Sequence, residues 1–584
     1  MTNLSDIKSA VANAAGIGTT VYNSVSALPS TGLTSGDQAF VESAGAAGQS
    51  RLYISNGSGW YNVALINATP RLTLSSEGTI ALASDGTATT ITMTALDSDN
   101  ASANLTLSIE SGGDLFKFAT VSQDSSVVTI TPRSEDSAVA LGSDGSATLT
   151  FKATDGISIG SVVNTFTLSF GPDWSQSPTQ TKVIASDGGA NDYFGASARV
   201  SKDGQYAIVG ATTEDYDAGN SRANCGAAYI YVKSGGSWSQ QAKLQASDAA
   251  ASDEFGSDVA LSEDGTYAVV GAKYGGTGSG NDNHGSAYIF IRSGTTWTQQ
   301  QEINAGDPQE GAQFGYSVDI NADGTYVAIG APYWNSSNYG AAYVFTRSGT
   351  TWSQQQRLQS TAPSTNDNMG NSTRISDNGD YVIATAPYED TGSTDAGLVY
   401  VFNRSGTTWS IQDTFQNSDT QLEDRLGFGS DISGDGNYII VGSSWEDGGS
   451  GNPIDRAGAA YIFLRTGTSW AQQAKLVASD AGATDSFGYS CSISTDGSFA
   501  LVSAHLEDGG AGDPKIFHGA AYVFSRDGTT WTQVRKLDAG GLLDARDYLG
   551  QSVAISGDGS VAFVSARGDD ENGSEAGAAY FFEA

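Results

Sequence analysis

Aromatic rings beside paired carboxylates are the residues here whose types and spacing could do chemistry. Tyr333 and Trp334 are adjacent, Tyr388 precedes Glu389-Asp390, and Trp445 precedes Glu446-Asp447. A ring offers a flat apolar face and a carboxylate accepts hydroxyl hydrogen bonds, which together suit recognition of a sugar. Catalysis finds no comparable pattern. The three histidines, His284, His505 and His518, stand in separate stretches, and no nucleophile lies at a motif spacing from a base. With 64 Asp and Glu, any two could be cast as glycosidase acids, so no pair stands out. No enzymatic activity is expected. Arg567-Gly568-Asp569 spells an integrin-binding tripeptide, which chance and a loop position account for.

The elements that must carry these residues repeat. A glycine that follows an aromatic or aliphatic residue recurs at Gly195, Gly256, Gly315, Gly370, Gly427, Gly488 and Gly550, at intervals of 61, 59, 55, 57, 61 and 62 residues. Self-similarity at such a period means one supersecondary unit copied seven times. In the second copy, residues 255–262 alternate as a strand and Asp264-Gly265 turns the chain. Residues 267–272 form an almost wholly apolar second strand, residues 285–291 a third, and residues 297–303 a fourth that opens on Trp297. Four antiparallel strands per copy, closed radially, predict a seven-bladed β-propeller over 172–584. The last copy ends after its third strand, while Trp174 lies ahead of the first copy. Residues 173–185 are therefore expected to supply the missing strand and close the ring.

The stretches between strands two and three hold 14, 12, 8, 10, 14, 14 and 10 residues, so the variation lies where binding residues ride on a rigid scaffold. Tyr333, Trp334, Tyr388 and Trp445 come from neighbouring copies three, four and five. The eight-residue loop beside longer ones predicts a groove, with Glu389, Asp390, Glu446 and Asp447 as acceptors.

The formal net charge is −36, which excludes nucleic acid and an anionic membrane surface as expected partners. No apolar run is long enough to span a membrane. Cys225 and Cys491 do not make a disulfide framework. The stretch from Met1 to Lys8 lacks the basic and apolar regions of a signal peptide, which fits a particle component assembled in a host cytoplasm.

Ahead of the propeller, Leu4, Ile7, Val11 and Ala14 predict a short amphipathic helix over 3–15. Residues 37–41, 51–55 and 60–65, with a tight turn at Asn56-Gly57-Ser58-Gly59, predict a small β unit, so that 1–67 forms one module. Strands about ten residues apart, at 71–75, 87–95, 104–109, 126–131, 147–153 and 162–170, predict an immunoglobulin-like sandwich over 68–171.

Three resemblances follow from these residues. Phe314-Gly315 with Gly330-Ala331-Pro332, and the Gly-Ala-Ala-Tyr-Val/Ile-Phe strands at 340–345, 458–463 and 519–524, resemble the FG-GAP repeat of integrin α-subunit-like propellers and of bacterial and phage surface proteins. That family often holds calcium in an acidic strand one–two turn. Here turns such as Ser201-Lys202-Asp203-Gly204 mostly carry a single carboxylate, so no metal is expected in the propeller. Gly36-Asp37-x-Ala39-Phe40-Val41 with the segment Leu52 to Tyr61 looks like a module near the start of marine-phage virion and tail-fibre proteins. Asp97-Ser98-Asp99-Asn100 and Ala153-Thr154-Asp155-Gly156 resemble pieces of the cadherin-type repeat, which binds calcium between tandem copies. One copy stands here, so no cofactor is expected, and calcium would be sought only near Asp97, Asp99 and Asp155.

Together these imply an all-β virion protein, a tail-fibre or appendage adhesin. Its N-terminal module would attach to other virion proteins, with self-association open, and its propeller face would meet a host-surface glycan or protein. The rivals are a structural virion or surface-layer protein that docks other subunits, and a glycan-active enzyme.

Overall fold

The computed structural model describes residues 20–22, 27–41, 51–65, 70–81, 88–96, 105–111, 119–132, 145–155, 159–168, 172–215, 222–276, 283–447, 454–508 and 516–584. The chain divides into two compact units, Met1–Gly171 and Pro172–Ala584. No helix among the described residues is long and apolar enough to cross a membrane.

In the first unit, Ser35–Val41, Arg51–Asn56 and Trp60–Leu65 pair antiparallel, and Thr20–Tyr22 adds a parallel edge that the pattern did not announce. Ala39, Val41 and Tyr53 form its small core, and the Trp60 indole donates to the Pro29 carbonyl at 2.9 Å. The helix expected over 3–15 lies outside the described residues. Beyond it, two four-stranded sheets share one core. One runs Arg71–Leu74, Thr89–Leu96, Val127–Pro132, Ala119–Asp124; the other Thr79–Ala81, Ile159–Leu168, Gly145–Thr154, Thr106–Ser111. That is the strand order of an immunoglobulin-type sandwich, with the first strand split between sheets. Leu72, Ile91, Met93, Val128 and Ile130 pack on Leu149, Phe151 and Ala153. Thr79–Ala81 and Ala119–Asp124 were not expected: the first is three residues long, and the second alternates with too few apolar side chains. Asp97 and Asp99 lie outside the described residues. Among the described residues, which include Asp155, no three acidic, histidine or cysteine side chains gather as a metal would need.

The second unit contains seven four-stranded antiparallel sheets among the described residues. Blade one is Phe194–Val200, Tyr206–Ala211, Ala227–Ser234 and Ser237–Leu244, and five blades repeat it in sequence. Each first strand touches the first strands of the blades before and after, and the seventh touches the first, so the first strands line an axis. The core lies between blades: Phe194, Val209, Tyr229 and Tyr231 of blade one pack with Phe563 and Phe581 of blade seven.

Blade seven consists of Leu549–Ile555, Val561–Ala566 and Ala578–Glu583, completed by Thr179–Val183 from the start of the unit. Val183 lies opposite Ala579 and Thr179 opposite Glu583. Closure is as expected, but the closing strand is shorter than 173–185. Lys182 faces Tyr580 as Lys243 faces Tyr229, yet Trp238 stands five residues before its lysine and Trp174 eight before its own. Three extra residues, Pro178 among them, push Trp174 out of the ladder, since proline has no N–H to give it. The ring is still only 1% exposed, and its Nε1 donates to the Gly559 carbonyl at 3.0 Å.

Inner strands leave an edge of backbone N–H groups that must find acceptors. The preceding blade supplies several. Asp258 accepts from Val318 N at 2.9 Å, Asp319 from Ile375 N at 2.8 Å, and Asp431 from Ile493 N at 3.0 Å. On the outer side, Arg292, Arg347, Arg404, Arg465 and Arg526 each stack on a tyrosine of the blade before, Tyr206, Tyr267, Tyr326, Tyr381 and Tyr438. The blades also meet backbone to backbone at the glycine that opens strand three. At Gly285, φ is +82°, and a Cβ would stand 2.0 Å from the Phe314 carbonyl oxygen of the next blade. Gly285→Ala should therefore destabilise the propeller by about 3 kcal/mol or more, from backbone strain plus a clash with main chain. Chemical denaturation of the full chain reads this directly, and a loss near that of an exposed turn glycine such as Gly294→Ala would contradict it.

Candidate functional site

Seven first strands around one axis bring the same repeat position together seven times. The residue after each repeat glycine (Ala196, Ser257, Tyr316, Asn371, Phe428, Tyr489 and Gln551) lines a cavity of about 320 Å³ at one mouth of the channel. The next residue in each blade, including Asp258, Ser317 and Ser372, forms a second ring beneath it. Two positions further along the strand lie Arg199, Asp319, Arg374 and Asp431. A second cavity, of about 40 Å³, has Asp319, Asp377, Asp431 and Glu263 in its wall. Arg199 is the one residue that lines both cavities, and so it stands at the waist of the channel.

The rim of the larger cavity is aromatic on one side. Phe428 and Tyr489 are near parallel at 6.5 Å, and the His505 ring lies 3.8 Å from that of Tyr489. Burial, with the Arg567 charge adding to it, pushes His505 down to about 3, so it is neutral at ordinary pH. Burial among the hydroxyls of Tyr489, Tyr333, Tyr388 and Tyr274 raises the Tyr316 phenol.

The cations are held unequally. Arg374 donates to Asp258 at 3.2 Å and to the Thr373 carbonyl at 2.9 Å, while its Nε is buried without a partner among the described residues. Burial pulls its pKa down, but Asp258, Asp319 and Asp431 hold it above the usual value. For Arg199, burial and the neighbouring Arg374 bring a net lowering. The Arg199 guanidinium donates to the Ala198 carbonyl at 3.0 Å and has no ion pair among the described residues. Lys273 pairs with Glu254 at 2.8 Å, and Arg567 lies over the rings of Tyr193 and Tyr548.

The residues expected from the sequence fall in two groups. Tyr333 meets Tyr316 edge-on at 6.4 Å, and Tyr388 meets Phe428 edge-on at 6.1 Å, so both extend the rim. Trp334 and Trp445 are engaged by their own surroundings instead. Arg357 lies 4.3 Å from the Trp334 ring, which packs on the blade core, and Trp445 is held between Arg425 and Arg456 at 3.7 and 4.0 Å. Glu389 is buried and accepts from Thr391 N and Oγ1, and Asp390 from Asp395 N. Glu446 is fully buried on Lys475 at 2.8 Å, and Asp447 accepts from Arg456 N at 2.8 Å.

Glu446 belongs to a recurring clamp. Lys475 also reaches Asp419 at 2.7 Å, Lys243 joins Asp187 and Glu214, and Lys536 joins Asp480 and Glu507. Each clamp ties the loop after strand two to the loop between blades, so these carboxylates hold the face together. Asp569 of the Arg-Gly-Asp tripeptide is likewise buried on Lys182 and Tyr580. The axial ring was missed because no single stretch shows it. Its signal is the position after each repeat glycine, where tyrosine or phenylalanine falls in three copies of seven.

Two outcomes follow. Trp334→Ala should lower stability by about 2 kcal/mol and Trp445→Ala by about 1 kcal/mol, as packed rings with guanidinium partners. Denaturant midpoints would show it, and unchanged midpoints would return both rings to the free surface. The second concerns pH. Burial raises Asp367, Asp424, Asp485 and Asp547 to about 6 and Glu214 to about 7. A carboxyl with a higher pKa folded than unfolded favours the fold while protonated, and that contribution is lost as the pH rises from about 4 through 6 to 7. Asp187, Asp419 and Asp480 run the other way: burial opposes it, but Lys243, Lys475 and Lys536 hold them low. Their contribution is lost on acidification below about 4. The urea midpoint should rise from about pH 8 to about pH 5 and fall again below about 4. A steady fall from pH 8 downward would contradict the assignment.

Comparison with known proteins adds the following. The FG-GAP repeat family matches residues 174–231, 238–290, 297–345, 409–463, 470–524 and 531–582, more than half of the chain. Blade four, Thr373–Ile375, Tyr381–Ala386, Leu398–Ser405 and Thr408–Phe415, keeps the geometry although its first three strands fall between two of the matched segments. There Met369-Gly370 stands for Phe-Gly and Thr385-Ala386 for Gly-Ala. No curated protein matches the chain. Among solved structures, the crystal structure of the RRP9 WD40 repeats aligns at 8% identity and a TM-score of 0.43, over 70% of this chain and 99% of that one. On the six matched segments, the chain belongs to the FG-GAP repeat family.

Proposed function

We propose that this chain is a recognition protein, an adhesin of a virus particle of the tail-fibre or appendage kind, which holds a host-surface glycan at the axial mouth of its propeller. The observation that carries this reading is the cavity of about 320 Å³, within the range of small-ligand pockets, roughly 300–1,000 Å³. Its wall joins Tyr316, Phe428 and Tyr489 to serine, asparagine and glutamine side chains and to cations, which is what a sugar requires: ring faces and directional polar groups. The reading is of binding without turnover. Among the described residues, Asp258 is the one carboxylate lining this cavity, and Arg374 and the Val318 N–H occupy it, which suits a wall and not a general base. The N-terminal β unit, on its likeness to virion modules, would serve attachment to other particle proteins. The sandwich would act as a spacer.

The test is attachment of the full chain to cells and to isolated envelope polysaccharides, with the Tyr316→Ala and Tyr489→Ala double variant beside the native protein. Attachment should weaken about tenfold or more, which corresponds to about 1.4 kcal/mol, with the melting temperature retained. Equal attachment by a folded double variant would remove the axial mouth from consideration. Shortening of the polysaccharide by the native protein would replace recognition with catalysis.

A further inference from the structure

The chain carries a net charge of −36, yet among the described residues the larger axial cavity is lined by Arg199, Lys273, Arg374 and Arg567 against one carboxylate, Asp258. An excess of cations inside so acidic a protein needs a physical account. Framework pairing covers only part of it. Asp258 faces Arg374 and Glu254 faces Lys273, which accounts for two of the four. Arg199 and Arg567 have no ion pair among the described residues, and the buried Arg374 Nε has no hydrogen-bond acceptor. A guanidinium left with free donors in a polar cavity is a receptor for a planar or tetrahedral oxyanion, which it can grip through two N–H groups. The charge also has a direction. Asp319 and Asp431, level with Arg199 in the strands, face the smaller cavity, where with Glu263 and Asp377 they oppose Arg199 and Lys202. An anion entering from the aromatic rim is therefore drawn as far as Arg199 and repelled beyond it.

Resting on the reading of the axial mouth as a glycan site, we infer that the sugar it takes is anionic, a uronic acid or a sulfated sugar, with its acid group on Arg199 and Arg567 and its ring against Tyr316, Phe428 and Tyr489. An oxyanion there would also offset the repulsion between Arg199 and the neighbouring Arg374; burial and that repulsion together lower the Arg199 pKa against the pull of Asp258, Asp431 and Asp319. The acidic exterior sharpens the test, because the protein as a whole repels a polyanion and only a local site can overcome this.

The experiment is calorimetric titration of the full chain with trigalacturonate, a sulfated galactose trisaccharide and neutral maltotriose. It uses native protein, Arg199→Gln with Arg567→Gln, and Arg199→Lys. At least one charged probe should bind about tenfold or more tighter than maltotriose, and the stronger of the two names the acid group. The double variant should lose that preference at an unchanged melting temperature, and Arg199→Lys should keep part of it. Maltotriose binding as tightly as both charged probes would overturn the inference, as would charged binding untouched by a folded double variant. If no probe binds while attachment to cells still depends on Tyr316 and Tyr489, the anionic ligand falls and the axial mouth stands. If that dependence fails as well, both fall.

Discussion

How closely seven backbones can approach one another around an axis governs this molecule. At the glycine that opens strand three, the chain runs against the main chain of the next blade with no room for a side chain, as at Gly226 against Phe255 and Gly458 against Phe487. Packing at that distance leaves little freedom in how one blade is tilted on the next. With seven blades set this way, the first strands enclose a channel wide enough for side chains and for the two cavities on either side of Arg199. The width of the binding mouth is thus a consequence of backbone contacts elsewhere in the blade.

The same constraint creates an electrostatic problem that the sequence solves in place. Inner strands present N–H groups with no neighbouring strand to accept them, and Asp258, Asp319 and Asp431 accept across the blade boundary. Those carboxylates in turn hold Arg374 charged in a buried setting. A structural need for acceptors and a surplus of guanidinium groups therefore meet at one level of the channel. Serine does the neutral form of the same work, as when Ser552 Oγ accepts from Ala198 N at 3.0 Å.

On the outer rim and the loop face, ionic groups act between blades. Arginine–tyrosine stacks join successive blades below, and lysine clamps with two carboxylates join them above. Such contacts explain why a protein with a large net negative charge can still bury acids such as Glu214 and Glu446. Glu214 and Glu446 each sit within reach of a lysine, at 2.6 and 2.8 Å. Trp334 and Trp445 belong to this system, because an arginine that needs a partner in a loop finds a ring face there.

The period of the repeat glycine, the Asp-Gly turns and the displaced Trp174 were enough to determine seven blades and the source of the closing strand. They are local features, and each carries its own physical reason in turn geometry, alternation or an unfilled edge. Six of the blades are legible even to a family comparison, and the fourth was legible only by its spacing. The sequence did not determine which loop residues are free. Glu389 and Glu446 look like exposed acceptors beside rings, but each lies three residues beyond the end of strand two, where the loop folds back over the blade and buries it. Nor could it place Tyr316, Phe428 and Tyr489 around one cavity, since about sixty residues separate neighbouring copies and only the closed ring brings one position of every copy to a common axis. Tertiary structure decided the site because the site is made of one residue from each blade.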